Sequence, residues 1–235
     1  MLMGKKTIGT CGIMGGVPFA HMEFCWSLAQ MLQYSHEYVC GPGEIIHLDK
    51  SDISYHMTAR NGLAKRCLGD WMLMLDVDHA FSPDLLARML FAMNVYQVDV
   101  LSALYHYRTP PHLPVLFVFD KEKKAMSHLV DWDCNAKIFE IDSAGAGTLL
   151  IKKNVFERIY SELNEEPFSI TPPYSEDHSF FLRLRQLGIK AYCTPYIESA
   201  HLYTNPITSA DYTDRMPELN VEVPSQGYKA PGVPI

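Results

Sequence analysis

The stretch WMLMLDVDHAF, Trp71 to Phe81, decides how the rest of the chain is read. Trp71 to Leu75 are all apolar, a run too short for a buried helix and right for a strand covered on both faces. The run ends in Asp76 and Asp78, with Val77 between them. Residues two apart on an extended strand point the same way. The two carboxylates are therefore expected to project together from the strand end while Val77 turns back to the core. By the same alternation His79 should point away from Asp78. Paired carboxylates repel and are costly to desolvate. A hard divalent cation removes both problems, since magnesium and manganese take oxygen ligands and keep open positions for phosphate. Alone, two aspartates spaced by one residue are more often a solvated strand end, so other residues have to decide.

Working outward, KKTIGTCGIM reads as a first strand closed by Gly15 and Gly16. Phe24, Leu28, Met31 and Leu32 recur at helical spacing between Pro18 and Tyr34. HEYVCGPGEIIHL offers one or two short strands around a Gly-Pro-Gly turn. Ser51 or Asp52 is expected to cap a helix running to Leu68, with Ile53, Met57, Ala64 and Leu68 on one side. Beyond the central strand, Ser82 and Pro83 should start a helix. DVLSALY and PVLFVFD are strand candidates separated by RTPPHLP. IFEIDSAGAGTLLIKK holds two more strands broken by small residues, and Asn154 is expected to cap a short helix. Ser175 caps another, with Phe180, Phe181, Leu184 and Leu187 as its stripe and Gly188 at the stop position. IKAYCTPY is the last strand. Strands alternate with helices, so the fold class is α/β: a mostly parallel central sheet with helices on both faces. Ligands bind beyond the carboxyl ends of the strands in such sheets, which is where Asp76 and Asp78 lie.

The 235 residues suit one domain, here 1–202, followed by a Pro-rich tail or lid over 203–235. The formal net charge of −7 argues against nucleic acid, whose binders usually carry a basic face. No apolar run reaches the roughly 18 residues that span a bilayer, and the N-terminus lacks the apolar core of a signal peptide. The six cysteines are scattered, with no CxxC, and read as reduced core thiols. The expectation is a cytoplasmic protein. Composition leaves its oligomeric state open.

The ordered set around the opening strand is TARNGLAKRCLGDWMLMLDVD, then DSAGAGTLLIKKNVFERI, then SEDHSFFLRLRQLG, then SAHL. It resembles the metal-dependent glycosyltransferases of the GT-A fold, a Rossmann-like architecture, and the family 2 type above all. The resemblance covers about residues 6–202 and implies a nucleotide-binding half, about 1–80, and an acceptor-binding half, about 81–202. It implies transfer of a sugar from a nucleotide-diphosphate donor, with UDP-sugar the commonest usage, to a carbohydrate or other hydroxyl acceptor, with Mn2+ or Mg2+ as cofactor. Carried over by position, Asp76 would touch the ribose or sugar hydroxyls and share in the metal site. Asp78 would bind the metal bridging the diphosphate, and His201 would be a further metal ligand. Arg60, with Asn61 beside it, would contact the diphosphate or donor sugar. Asp177 would be the catalytic base of an inverting enzyme, with Glu176 reading hydroxyls. Gly145, Ala146 and Gly147 would let the donor sugar approach the backbone.

The chemistry is consistent with this. A cation offsets the charge left on a departing phosphate, and an attacking hydroxyl must lose its proton to a positioned base. Asp177 sits in a first helical turn, where the dipole favours the ionised form, and on the same side as Phe180 and Leu184. Retaining enzymes use this fold too, so the stereochemical course stays open. A sugar nucleotidyltransferase would want basic residues on a Gly-rich loop after the first strand, and GIMGGVPF has none. A non-catalytic sugar-nucleotide scaffold would be expected to have lost the base. YHYRTPPHLP reads as a rigid loop before it reads as an acceptor rim. Trp132 in HLVDWDCN is as much a sugar platform as a half-buried loop residue, and Lys121 to Lys124 a solvated turn.

Overall fold

The computed structural model describes residues 5–17, 19–120, 125–133, 135–203 and 206–207. In chain order the strands and helices are β1 (Lys6–Met14), α1 (Met22–Tyr38), β2 (Glu44–Lys50), α2 (His56–Lys65), β3 (Trp71–Asp76), β4 (His79–Phe81), α3 (Leu85–Val95) and β5 (Val100–Leu104). They continue with β6 (Leu116–Asp120), β7 (Ala125–His128), β8 (Phe139–Ile141), β9 (Ser143–Ala144), β10 (Thr148–Lys152), α4 (Lys153–Arg158), α5 (Glu176–Gln186), β11 (Ala191–Leu202) and β12 (Pro206–Ile207). A single π turn, Ile159–Leu163, extends α4.

The main sheet runs β12-β11-β5-β10-β3-β1-β2, with β4 and β8 paired to β11. β3 lies inside it, between β10 and β1, and Trp71 to Leu75 are buried on both faces. Met72 and Met74 face one core with Leu63 of α2, Phe156 of α4 and Phe180 and Leu184 of α5. Trp71, Leu73 and Leu75 face the other with Phe24 and Met31 of α1 and Leu85 and Met89 of α3. That two-sided burial is why the run is continuous instead of alternating. Leu73→Ala would open a cavity between β3 and α3 and cost about 2–5 kcal/mol. Among the described residues no helix is long and apolar enough to cross a membrane.

The expected parallel sheet is realised with one reversal. β1 pairs parallel with β2 and β3, and β5 pairs parallel with β11, but β10 lies antiparallel between β3 and β5. The chain reaches β10 from the carboxyl ends of the parallel strands, through Gly145 to Gly147, so it can only run back. A second sheet, β7-β6-β9, is wholly antiparallel and stands beside that same end.

Three expected caps are corrected. The helix after β2 starts at His56, and Ser51 instead accepts the Ile53 amide in a local turn. Ile53 and Leu68 are each 47% exposed, outside the helix and off its buried stripe. α3 starts at Leu85, two residues beyond Pro83, with Ser82 bonded to the Asp84 side chain. α4 begins at Lys153, so Asn154 is inside it. Ser175 does cap α5, accepting the His178 amide at 3.4 Å, and Gly188 ends it at φ +68°. Most of the expected 203–235 tail, and Lys121 to Lys124, lie outside the described residues.

Candidate active site

At the carboxyl end of β3 two groups of polar side chains meet. The first is built on Arg60 of α2, whose side chain is 2% exposed. Its Nη1 donates to the Ala146 carbonyl at 3.1 Å and its Nη2 to Asp76 Oδ2 at 3.2 Å. Nε lies 3.2 Å from Asp177 Oδ1 and 3.9 Å from Glu176 Oε1. The Nε–Oδ1 contact is an ion pair by distance only, since neither atom makes a hydrogen bond. Charge holds Asp177 there and leaves its oxygen open. Burial pushes the guanidinium towards neutrality, but Asp76, Asp177 and Glu176 outweigh it and raise its pKa. For Asp177 burial wins. It drives the carboxyl up to about 6 against the pull of Arg60, with Glu176 and Asp76 adding to the rise. Glu176 goes the other way, held below the usual carboxylate range by His56, whose Nδ1 is 3.5 Å from Oε1.

The second group is Asp78, His79 and His201, whose ligand atoms all lie within 4.8 Å of one another. The strand ends at Asp76, and Val77 and Asp78 form a turn, so the alternation expected to carry His79 away stops there. β4 then pairs antiparallel with β11, with His79 opposite His201. Their rings stack at 4.8 Å. His201 Nε2 is 3.4 Å from Asp78 Oδ2, and His79 Nε2 is 4.0 Å from Oδ1. His201 Nδ1 is 2.9 Å from the His106 carbonyl. A carbonyl only accepts, so Nδ1 donates to it and Nε2 is the nitrogen turned toward the carboxylate oxygen. A proton on Nε2 or a metal ion can sit between the two. His79 is fully buried, and burial pushes its pKa down to about 4, so its ring is neutral. Its Nδ1 is 2.9 Å from Ser199 Oγ, and its Nε2 also faces Asp78. Imidazoles oriented by an outer hydrogen bond around one carboxylate fit a divalent transition metal. Burial works against ionisation of Asp78, but His201, His79 and Arg108 outweigh it and hold the carboxyl down at about 2.

The expected residues therefore divide. Asp78 and His201 come together, as do Arg60, Asp76, Glu176 and Asp177. Asp76 belongs with Arg60, outside the Asp78–His79–His201 cluster, and its Oδ1 is buried without a partner. Asn61 is turned to structural work: its Oδ1 accepts the Phe168 amide at 2.8 Å, anchoring the segment before α5. The two glycines make room for the site's own side chains. A Cβ on Gly145 would stand 2.1 Å from the Tyr105 hydroxyl, and one on Gly147 2.5 Å from His79 Nε2 and 3.3 Å from Asp76 Oδ2.

Three site residues were not singled out in the sequence, His56, Tyr105 and Arg108, and His79, expected to point away from Asp78, is corrected to lie beside it. Tyr105 accepts the Gly147 amide at 3.2 Å and meets both His79 and His201 edge to face. Arg108, the lone cation of RTPPHLP, reaches Asp78. Trp132 stacks one face on Phe139 at 5.3 Å, so that face is closed to any ligand. A cleft of about 350 Å³ lined by Lys65, Lys153 and Tyr160 lies by the start of β3, away from all of these groups.

Residues 29–115 match the family model of glycosyl transferase family 2. A comparison with curated protein sequences finds no match. Among solved structures, GalNAc-T7 crystallised with UDP, GalNAc and Mn2+ superposes with a TM-score of 0.55 at 10% identity, over 85% of this chain and 43% of that one. A197 from STIV gives a TM-score of 0.51 at 15% identity, over 84% of this chain and 86% of that one. At such identities the likeness is one of fold, and it includes the GT-A arrangement of a mixed central sheet flanked by helices.

Proposed function

We propose that this chain, a glycosyltransferase of the GT-A fold with a family 2 match over residues 29–115, moves a sugar from a UDP-sugar to an acceptor hydroxyl with inversion. The observation that carries the reading is the juxtaposition of a cation-ready cluster, Asp78, His79 and His201, with a buried carboxylate, Asp177, whose Oδ1 has no hydrogen bond. Asp78 and the histidines would hold Mn2+, which when bound offsets the charge left on the departing diphosphate. A nitrogen-containing donor set favours manganese over magnesium. UDP and Mn2+ are also what the GalNAc-T7 structure contains.

Asp177 takes the proton of the attacking hydroxyl. A base with a pKa of about 6 is ionised at neutral pH yet still basic enough to accept that proton. Arg60 positions the base: its Nε faces Asp177 while its Nη2 holds Asp76. Asp76 Oδ1, left open, is aligned to accept a hydrogen bond from a donor hydroxyl. Glu176, fixed by His56, keeps the electrostatic balance around Arg60.

The test is thermal stability with UDP, GDP, CDP or ADP, each with Mn2+ and with chelator. A manganese-dependent rise in Tm with UDP alone is the expected result, since a ligand that binds only the folded state stabilises it. No shift with any nucleotide would overturn the donor assignment.

A further inference from the structure

His56 opens α2 and Arg60 follows one turn later, so the two share a face of that helix. Both meet the start of α5, where Glu176 and Asp177 stand side by side in the first turn. Side-chain exposure falls from 65% at His56 to 14% at Glu176 and 2% at Arg60. The Arg60 guanidinium is pinned, with Nη1 bonded to the Ala146 carbonyl and Nη2 to Asp76. That leaves Nε, whose single hydrogen serves one acceptor well. Two carboxylates contend for it, Asp177 Oδ1 at 3.2 Å and Glu176 Oε1 at 3.9 Å. Nε has closed a hydrogen bond with neither.

The same Glu176 oxygen is claimed from the other side. His56 Nδ1 lies 3.5 Å from Oε1, so one carboxylate stands between an imidazole and a guanidinium. Glu176 raises the pKa of the ring above its usual 6.5, with Asp76 adding to the rise and burial and Arg60 opposing it. The ring is therefore mostly charged at the pH, about 6, at which Asp177 ionises. The groups that face His56 are Glu176 of α5, Arg60 of α2 and Asp76 of β3. Those that face Asp177 are Arg60, Glu176 and Asp76, with the Tyr105 and Tyr107 phenols beyond them.

We infer that His56 is a positioning residue for the base: it draws Glu176 off Arg60 and so reserves Nε for Asp177. The assignment rests on the reading of Asp177 as the base. Without a cation at position 56, Glu176 has no partner on the solvent side and moves the short distance onto Nε. Asp177 then loses the guanidinium that opposes its burial, and it takes up its proton at higher pH. A base so raised is protonated over more of the neutral range, where it has to be ionised to work. The contest is local, because Nη1 and Nη2 are already committed and cannot serve the displaced carboxylate.

Carbon NMR of the full chain, labelled at its aspartate carboxyls, reads the titration midpoint of Asp177 directly, with the signal assigned by its absence from Asp177→Asn. In His56→Ala the midpoint should rise by about half a pH unit or more, the scale of a weakened ion pair. His56→Lys, which keeps a cation at that place, should return it to within about 0.2 of the wild type. In a Glu176→Gln background, where no second carboxylate contends for Nε, His56→Ala should move it by less than about 0.2. Melting temperatures check that each variant is folded. An unmoved midpoint in His56→Ala overturns the assignment, as does a His56→Lys midpoint as high as that of His56→Ala. An equal rise in the Glu176→Gln background also overturns it, since the ring would then act on Asp177 through its charge alone. Transfer by Asp177→Asn is read separately: its retention defeats the base, while the midpoints still decide what His56 does.

Discussion

Arg108 Nη1 lies 3.2 Å from Asp78 Oδ2, the oxygen that also faces His201 Nε2 at 3.4 Å. Without metal, a cation of the protein's own balances the carboxylate that the site would use to hold one. The Arg108 side chain is 42% exposed, so the pair is worth at most about 1 kcal/mol. Arg108→Ala should therefore bind Mn2+ about two- to fivefold more tightly in the absence of nucleotide, by isothermal titration. Unchanged or weaker binding would show that Arg108 does not compete with the metal.

Asp76 and Asp78 should separate in their dependence on metal. His201→Ala and Asp78→Ala are each expected to weaken Mn2+ binding by at least about tenfold, the scale seen when a metal's supporting shell is cut. Asp76→Asn should change it by less than about threefold, because Asp76 faces Arg60. Electron paramagnetic titration of free Mn2+ distinguishes the three variants. An Asp76→Asn loss as deep as that of His201→Ala would make Asp76 a ligand.

Asp177 carries a pH signature of known sign. As a base it works ionised, so transfer should fall as pH drops through about 6. Asp177→Asn should abolish transfer and keep the manganese-dependent nucleotide shift. Stability follows the same group. Its folded pKa is raised above 3.8, so between 3.8 and about 6 the folded state binds more protons than the unfolded one. The associated stability is complete below that window and lost as pH rises through it. Asp177→Asn should thus gain more in Tm over the wild type at pH 7.5 than at pH 4. An equal difference at the two values would mean that the carboxyl is not raised.

Gly147 has no room for a methyl group beside the metal-ligand candidates. The added Cβ would stand 2.5 Å from His79 Nε2, and His79 is locked between Tyr105, His201 and Ser199. Gly147→Ala should cost about 1–3 kcal/mol through overpacking. In a chain of this size that lowers Tm by about 2–4 °C per kcal/mol. It should also weaken Mn2+ binding by displacing His79, measurable in the same titration.

What could be read along the chain was whatever local chemistry decides. Trp71 to Leu75 could only be a strand buried on both sides, Ser175 and Gly188 bracket α5 through its cap and its positive φ, and Asp78, Asp177 and His201 stand at element ends where ligands gather. Tertiary structure decided the rest, because it depends on partners far apart in sequence. The reversal of β10 follows from the end of the sheet at which the chain re-enters. Asn61, adjacent to Arg60, is drawn away by the Phe168 amide, which no pattern along α2 reveals. His79 looked misdirected because alternation holds only while a strand is extended. The turn at Val77 and Asp78 breaks it, and the ladder between β4 and β11 then lays His79 on His201. A strand's period belongs to its own backbone, whereas the making of a metal site belongs to the pairing between strands.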